Sequence, residues 1–139
     1  MKKINIHAVN LDREGYDNLN PGHDYSCYTY DSESIDEIII NVGGLESIER
    51  QNIQHHFSHW YRILKFGGTI KIYFNDIYHM ANNLIYNRIS VIDFETEIIR
   101  KHKSLHDMNN VNEYLKAYNF NIETCNYYDG IGIVHATKK

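Results

Sequence analysis

Two side chains in this chain of 139 residues stand where general-base chemistry could take place. Asp76 follows the apolar run of residues 69–74, and His102 opens the segment His-Lys-Ser at 102–104. Histidine titrates near neutral pH and a carboxylate accepts protons, so either could deprotonate an acceptor hydroxyl. Both have simpler alternatives, since Asp76 is also a plausible helix N-cap and His102 could be an exposed loop residue.

Other constellations predict less chemistry. The segment His-His-Phe-Ser-His places His55 and His59 four residues apart on a predicted helix, a spacing that can bind zinc. No Glu follows the first His and no third ligand is evident, so we predict a polar outer helix face and no metal. The sequence has no P-loop, no Gly-x-Ser-x-Gly and no Cys-His-Asn pattern.

Composition narrows the classes of function. The length predicts one domain, residues 1–139. The net charge of −4 argues against an extended electrostatic interface with nucleic acid. No apolar run is long enough for a membrane span. The start is basic without a following apolar region, so no signal peptide is expected. Two cysteines far apart suggest a reducing, cytoplasmic location.

Apolar patterning predicts the elements that must position these side chains. Strands are expected at 3–7, 35–42 and 69–74, with a short one near 16–19. A helix of about twenty residues, opened by Glu46, is expected to end at Gly67-Gly68. Asp129-Gly130 between two β-rich runs predicts a closing hairpin. This order of elements indicates an α/β fold with a mostly parallel sheet.

Residues 35–77 resemble the middle of class I S-adenosylmethionine-dependent methyltransferases, in their compact branch. The resemblance lies in three motifs, Leu45-Glu46-Ser47-Ile48, Trp60 to Gly68 and Asn75-Asp76. Residues 102–120 are similar to that branch's His-Lys-Ser segment and the helix after it. Residues 4–20 are similar to the N-terminal motif of that branch. The motif typically reads Leu-Asn-Leu-Gly-Cys-Gly, then a loop, then Gly-Tyr-x-Asn-Val-Asp.

The resemblance implies a Rossmann-like, doubly wound sheet with a C-terminal antiparallel β-hairpin. Its ligand would be S-adenosylmethionine, at the carboxyl ends of the strands. It implies catalytic roles for His102 and Asp76, with His102 near the substrate mouth. The implied cofactor-binding positions are Asn5, His7, Val9, Asn20, Asn41, Gly43 and Gly44.

Several positions depart from the family pattern. His7 and Val9 replace glycines that let the backbone approach the ligand. Asn20 replaces an acidic residue whose carboxylate accepts hydrogen bonds from the ribose hydroxyls. Ser47 replaces a histidine and Phe66 a proline. The departures weaken the expected cofactor site and leave the predicted fold intact.

Two hypotheses of different classes follow. The first is a methyltransferase that acts on an O or N acceptor of a small molecule such as a sugar. The second is a methyltransferase-like protein without catalysis that serves in binding or assembly. A homodimer is also predicted, because so short an α/β chain buries a limited core.

Overall fold

The computed structural model describes residues 1–7, 11–20 and 29–139, and a six-stranded sheet forms its centre. The strands are β1 (Lys3–Ile6), β2 (Asp17–Leu19), β3 (Ile35–Ile40), β4 (Leu64–Asn75), β5 (Phe120–Tyr128) and β6 (Ile131–Lys138). Their order is β2-β1-β3-β4-β6-β5. The first four are parallel, and β6 is antiparallel to both β4 and β5. The predicted mostly parallel α/β sheet with a C-terminal hairpin is confirmed.

The winding of the sheet fixes where a ligand crevice can lie. From β1 the chain moves outward to β2 and then returns to the other side of β1 as β3. This reversal is the switch point of a doubly wound sheet, where ligands bind beyond the carboxyl ends of the strands. The carboxyl ends of β1 and β3 therefore mark the place to look for a site.

Four helices accompany the sheet among the described residues. They are α1 (Ile53–Ile63), α2 (Ile77–Ile85), α3 (Val91–Phe94) and α4 (Met108–Ala117). A 3-10 turn, Arg50–Asn52, precedes α1, and a π-helical turn, Glu95–Ile99, follows α3. None of the helices described is long and apolar enough to cross a membrane.

The long helix expected to end at Gly67-Gly68 is shorter at both ends. Residues 42–47 form turns, and α1 has eleven residues. After Ile63 the backbone becomes extended at Leu64, which pairs with Ile35 of β3. The sheet ladder therefore takes the chain out of the helix before the two glycines are reached.

Apolar side chains from one face of the sheet and from two helices form the core. In the sheet, Ile4 is aligned with Ile38, which in turn is aligned with Ile70, and all three are fully buried. From α1, Phe57 packs edge-on against Trp60 at 5.0 Å between ring centroids and stacks on Tyr114 of α4 at 5.3 Å. Helices α1 and α4 therefore cover the same face of the sheet.

The predicted polar outer face of α1 is wrong for two of its histidines. His55 is exposed, but His56 and His59 are buried, and the ring of His56 lies 5.7 Å from that of Trp60. Imidazole rings have enough apolar surface to pack beside aromatic residues. A histidine in the sequence therefore did not indicate a solvent-facing position.

The closing hairpin has the turn that its sequence predicts. Asp129 and Gly130 join β5 to β6 with φ of 47° and 76°. Positive φ at both central residues is the type I′ geometry that matches the twist of the flanking strands. The prediction of a hairpin at Asp-Gly is confirmed.

We expect Phe57→Ala to lower the free energy of unfolding by about 3 to 5 kcal/mol, because it removes a fully buried ring from the core. Phe66→Ala is the matched control, since this phenylalanine is 67% exposed. Urea denaturation followed by Trp60 fluorescence measures both variants. Equal losses in the two variants would contradict the assignment of the core.

Candidate functional site

The carboxyl edge of the parallel strands collects the predicted site residues. Asn5 and His7 lie in and after β1, Asn20 follows β2, and Asn41 follows β3. Gly43 and Gly44 lie in the turn after Asn41, and Asp76 follows β4. His102 lies in the segment before α4 that bonds to this edge. Val9 lies outside the described residues, so its predicted role stays a prediction.

Three asparagine side chains, of which Asn5 is buried and Asn18 exposed, form a chain of hydrogen-bonded amides at the switch point. Asn5 is fully buried, and its amide donates to Leu11 O and to Asn18 Oδ1, each at 2.8 Å. Asn41 donates to Asn5 Oδ1 at 3.2 Å. Both amide hydrogens of Asn5 are thus used inside the protein. This side chain fixes the loop of residues 11–18 and links it to the end of β3.

His7 occupies the first position where the resembling family has glycine. Its Nε2 lies 2.7 Å from the Asp12 carboxylate, and its Nδ1 is buried without a hydrogen-bond partner in the described part of the chain. Because a carboxylate only accepts, Nε2 must carry a hydrogen, and Nδ1 of the neutral ring is an acceptor. The backbone N–H of His7 donates to Leu19 O at 3.0 Å, which brings Asn20 to the same edge.

The two glycines after β3 have different reasons to be glycine. Gly43 has φ of +85°, a conformation that other residues seldom adopt. A Cβ on Gly44 would lie 2.9 Å from Asn41 O and 3.0 Å from Ile6 O. Gly44 is therefore required by the protein's own backbone, whereas Gly43 is required by the positive φ of the turn at the switch point.

Glu46 ties the ends of β3 and β4 together. Its fully buried carboxylate accepts from Gly43 N at 3.0 Å and from Asn75 N at 2.6 Å. Its carbonyl accepts from Lys103 N at 2.8 Å and Ser104 N at 3.2 Å. Burial raises the pKa of the Glu46 carboxyl, and the backbone hydrogen bonds and His102 partly offset that rise. The interpretation of Glu46 as the first acid of a helix is wrong, because α1 begins only at Ile53.

His102 is half-buried and held in one orientation. Its Nδ1 lies 2.6 Å from Ile98 O. A carbonyl oxygen accepts only, so Nδ1 carries the hydrogen and Nε2 of the neutral ring has a free lone pair. Glu46 is close enough for the charges of the two groups to interact.

Ser104 and His106 anchor the segment that carries His102. Ser104 Oγ lies 2.8 Å from both Ile48 O and His106 Nε2, and His106 Nδ1 lies 2.9 Å from Asn110 Oδ1. Burial lowers the pKa of His106 to about 4, so its ring is neutral at pH 7. These bonds attach the segment to the turn after β3 on one side and to α4 on the other.

Asp76 is the N-cap of α2, as predicted, and uses only one of its two carboxylate oxygens for the cap. Its Oδ2 accepts from His79 N at 3.0 Å, while its buried Oδ1 has no hydrogen-bond partner among the residues described. Asp76 also lines a cavity of about 260 Å³ beside the β5–β6 hairpin. The prediction of a cap is confirmed, and a role as a site residue is compatible with the same geometry.

A larger cavity, of about 320 Å³, lies at the opposite edge of the sheet, between Met1, Phe66 and the starts of β3 and β4. Parallel α/β sheets bind ligands at the carboxyl ends of their strands, so the position of this cavity speaks against a substrate site. No group of three or more His, Cys, Asp or Glu suited to a metal ion occurs within the described ranges.

Comparison with known proteins identifies the fold. No family model and no curated protein matches the sequence. An S-adenosylmethionine-dependent methyltransferase from Mesorhizobium loti superposes with a TM-score of 0.67 at 10% identity, over 98% of this chain and 90% of its own. One from Thermotoga maritima gives 0.64 at 12% identity, over 99% and 82%. This chain has the class I methyltransferase fold.

A third structural neighbour is part of an assembly. It comes from the complex between the Haloferax volcanii Trm112 methyltransferase activator and a methyltransferase, with a TM-score of 0.62 at 12% identity. The match covers 91% of this chain and 63% of that one. At such identities the shared methyltransferase fold says nothing about substrate or partner.

Within the methyltransferase fold, sequence reasoning missed the residues that act through distant contacts. The sequence marks Glu46 as a helix-opening acid and as part of the motif at residues 45–48, but gives no sign of the bond that its carboxylate accepts from Asn75 N in the next strand. Asp12 sits in a polar loop and gains its role only from contact with His7. Tyr127 reaches the cavity at Asp76 from the hairpin, fifty-one residues along the chain. None of these three contacts has a local sequence signal.

We expect Glu46→Gln to lower the free energy of unfolding by about 1 to 3 kcal/mol. Both carboxylate oxygens accept from backbone N–H groups, and the glutamine amide would turn a donor toward one of them. Glu49→Gln, an exposed neighbour, is the control and should change little. A Glu46→Gln variant as stable as the parent in urea would contradict this role.

Stability should fall as the pH drops from about 6.5 toward 4. Burial lowers the pKa of His56 and His106 to about 4, so the unfolded chain binds more protons than the folded one in this window. We expect His106→Gln to reduce the pH slope of the unfolding free energy by up to about 1.4 kcal/mol per pH unit.

The control for this experiment is His55→Gln, at an exposed position of the same protein. Urea unfolding at pH 7.5, 6.0 and 5.0 gives the slopes for the parent and both variants. Glu46 titrates with the opposite sign but is present in all three proteins, so it cancels. An unchanged slope in His106→Gln would show that the folded protein accommodates the charged ring.

Proposed function

We propose that this protein is an S-adenosylmethionine-dependent methyltransferase that acts on an oxygen or nitrogen of a small molecule. The observation that carries the proposal is the buried Nδ1 of His7, which has no partner among the described residues and lies at the switch point of a class I methyltransferase fold. A buried polar atom without a partner is costly, and a bound ligand would supply the missing hydrogen bond.

The residues described at the switch point fit the cofactor with altered chemistry. The side chains of His7, Asn20 and Asn41 and the turn at Gly43 would hold it, and Asn5 would position Asn41 through their hydrogen bond. Neutral amides stand where the family has a carboxylate, so the hydrogen bonds to the ligand are weaker than charge-assisted ones. Bound S-adenosylmethionine supplies an electrophilic methyl group on a sulfonium.

His102 is suited to take the proton from the acceptor. The bond from Nδ1 to Ile98 O fixes the tautomer and leaves the Nε2 lone pair available. Protonation makes the ring positive, and the Glu46 carboxylate interacts favourably with that charge. The hydrogen bonds of Lys103, Ser104 and His106 hold the segment in place, so alignment is prepared before substrate arrives.

One observation favours a second function, that of a methyltransferase-like protein without catalysis. The side chain of His7, braced by Asp12, stands where the family keeps only a glycine. If this pair excludes the cofactor, the fold would serve in binding or assembly, as a homodimer or with a different partner.

Calorimetric titration with S-adenosylmethionine and S-adenosylhomocysteine tests the proposal. We expect dissociation constants in the micromolar range. Gly43→Ala should weaken binding at least tenfold, since a side chain at φ of +85° distorts the switch-point turn. Gly67→Ala is the matched control, because Gly67 also has a positive φ, of +75°, and has open space around it near the other edge of the sheet.

Two outcomes decide against the methyltransferase. No heat with either ligand up to millimolar concentration would favour the non-catalytic alternative. Equal effects of Gly43→Ala and Gly67→Ala would show that the ligand binds away from the switch point.

A further inference from the structure

The cavity beside the hairpin has a lining suited to a particular class of ligand. It lies between the first turn of α2 and the β5–β6 turn and measures about 260 Å³. Its walls are Asp76, Tyr78, His79, Asn82, Tyr127 and Gly130. This volume is at the small end of ligand sites, so it fits a compact molecule.

Asp76 lines this cavity, and one oxygen of its carboxylate has no hydrogen-bond partner among the described residues. Asp76 is buried, with 6% of its surface exposed. Only its Oδ2 takes part in the cap of α2, where it accepts from His79 N. Oδ1 has no hydrogen-bond donor within the residues described. The lining contains neither Lys nor Arg. A buried carboxylate oxygen of this kind is best satisfied by a charged donor.

The tyrosine across the cavity reports the same negative environment. Burial raises the pKa of the Tyr127 hydroxyl, and the negative charges of Asp76 and Asp107 raise it further. The field that opposes formation of a tyrosinate would attract a cation. Tyr78 and Tyr127 are 65% and 59% exposed and offer aromatic surface to such a cation at the mouth.

The third wall is set by the hairpin turn. A Cβ on Gly130 would lie 2.2 Å from His79 Cδ2, so the imidazole packs directly against the glycine. This contact joins α2 to the hairpin beside the cavity. The backbone N–H of Asp76 donates to Gly130 O at 3.1 Å, which holds the same two elements together.

We propose that this cavity binds a small organic cation, an ammonium group on a compact aromatic or apolar body. The ammonium would pair with the Asp76 carboxylate, and the body would lie against Tyr78 and Tyr127. A neutral alcohol would leave the carboxylate charge unbalanced, and an anion would be repelled by it. That the bound amine is the methyl acceptor rests on the function proposed above, whereas the binding itself does not.

A matched series of three probes tests this proposal: 2-phenylethylamine, 2-phenylethanol and phenylacetate. Titrations followed by NMR at pH 7.5, without other ligands, compare a cation, a neutral molecule and an anion of nearly equal size. We expect the amine to bind at least tenfold more tightly than the alcohol, and phenylacetate not to bind. Equal binding of amine and alcohol would overturn the proposal.

Variants locate the binding. Asp76→Asn keeps a good helix cap but removes the charge, and it should weaken amine binding at least tenfold. Asp93→Asn, an exposed acid in α3, is the control and should leave binding unchanged. If Asp76→Asn fails to fold, Tyr127→Leu tests the same wall and should weaken amine binding about threefold. Amine binding that is unaffected by changes at this wall would overturn the proposal.

The two proposals fail separately. Amine binding without any response to S-adenosylmethionine would preserve the cation site and reject the methyltransferase. Cofactor binding with no preference for the amine would preserve the methyltransferase and reject the cation site.

Discussion

The buried carboxylate of Glu46 is the contact on which the carboxyl edge of the sheet depends. A carboxylate taken out of water is costly unless strong donors surround it, and here two backbone N–H groups from different segments do so. Satisfying it requires the turn at Gly43 to approach the end of β4 at Asn75. The carbonyl of the same residue receives the segment that carries His102. One residue thus sets the relative positions of the three segments from which a site could be built.

The sequence predicted the elements whose signals are local. The β-branched run at 35–40, the helix cap at Asp76 and the turn at Asp129-Gly130 each depend on neighbours a few residues away, and all three are present. The residues before α1 are held by a distant contact instead, because Glu46 accepts from Asn75 N, twenty-nine residues along the chain. Periodicity therefore extended the helix through residues that the edge of the sheet holds as turns.

Single side chains of the candidate site also depend on distant contacts that the sequence does not predict. Parallel strands bring their carboxyl ends together, so the edge itself was predictable from their positions. The register of the strands was not predictable. It places Asn5 opposite Asn18, so that the Asn5 amide bonds to another residue of the protein. The amide of Asn5 links the loop of residues 11–18 to the end of β3, and its predicted contact with the cofactor stays a prediction. His7, also a predicted cofactor-binding position, has an Nδ1 that remains unpartnered among the described residues at the place where glycine was expected.

The edge divides into two parts with different chemistry. At the ends of β1 and β3 the side chains are amides and an imidazole, whereas the end of β4 presents the carboxylate of Asp76. A carboxylate that binds an ammonium ion stabilises its protonated form and so opposes the loss of the proton that makes nitrogen nucleophilic. On the proposed function, recognition and proton removal must therefore fall to different residues. Asp76 would hold the cation, and His102, with its free Nε2, would accept the proton.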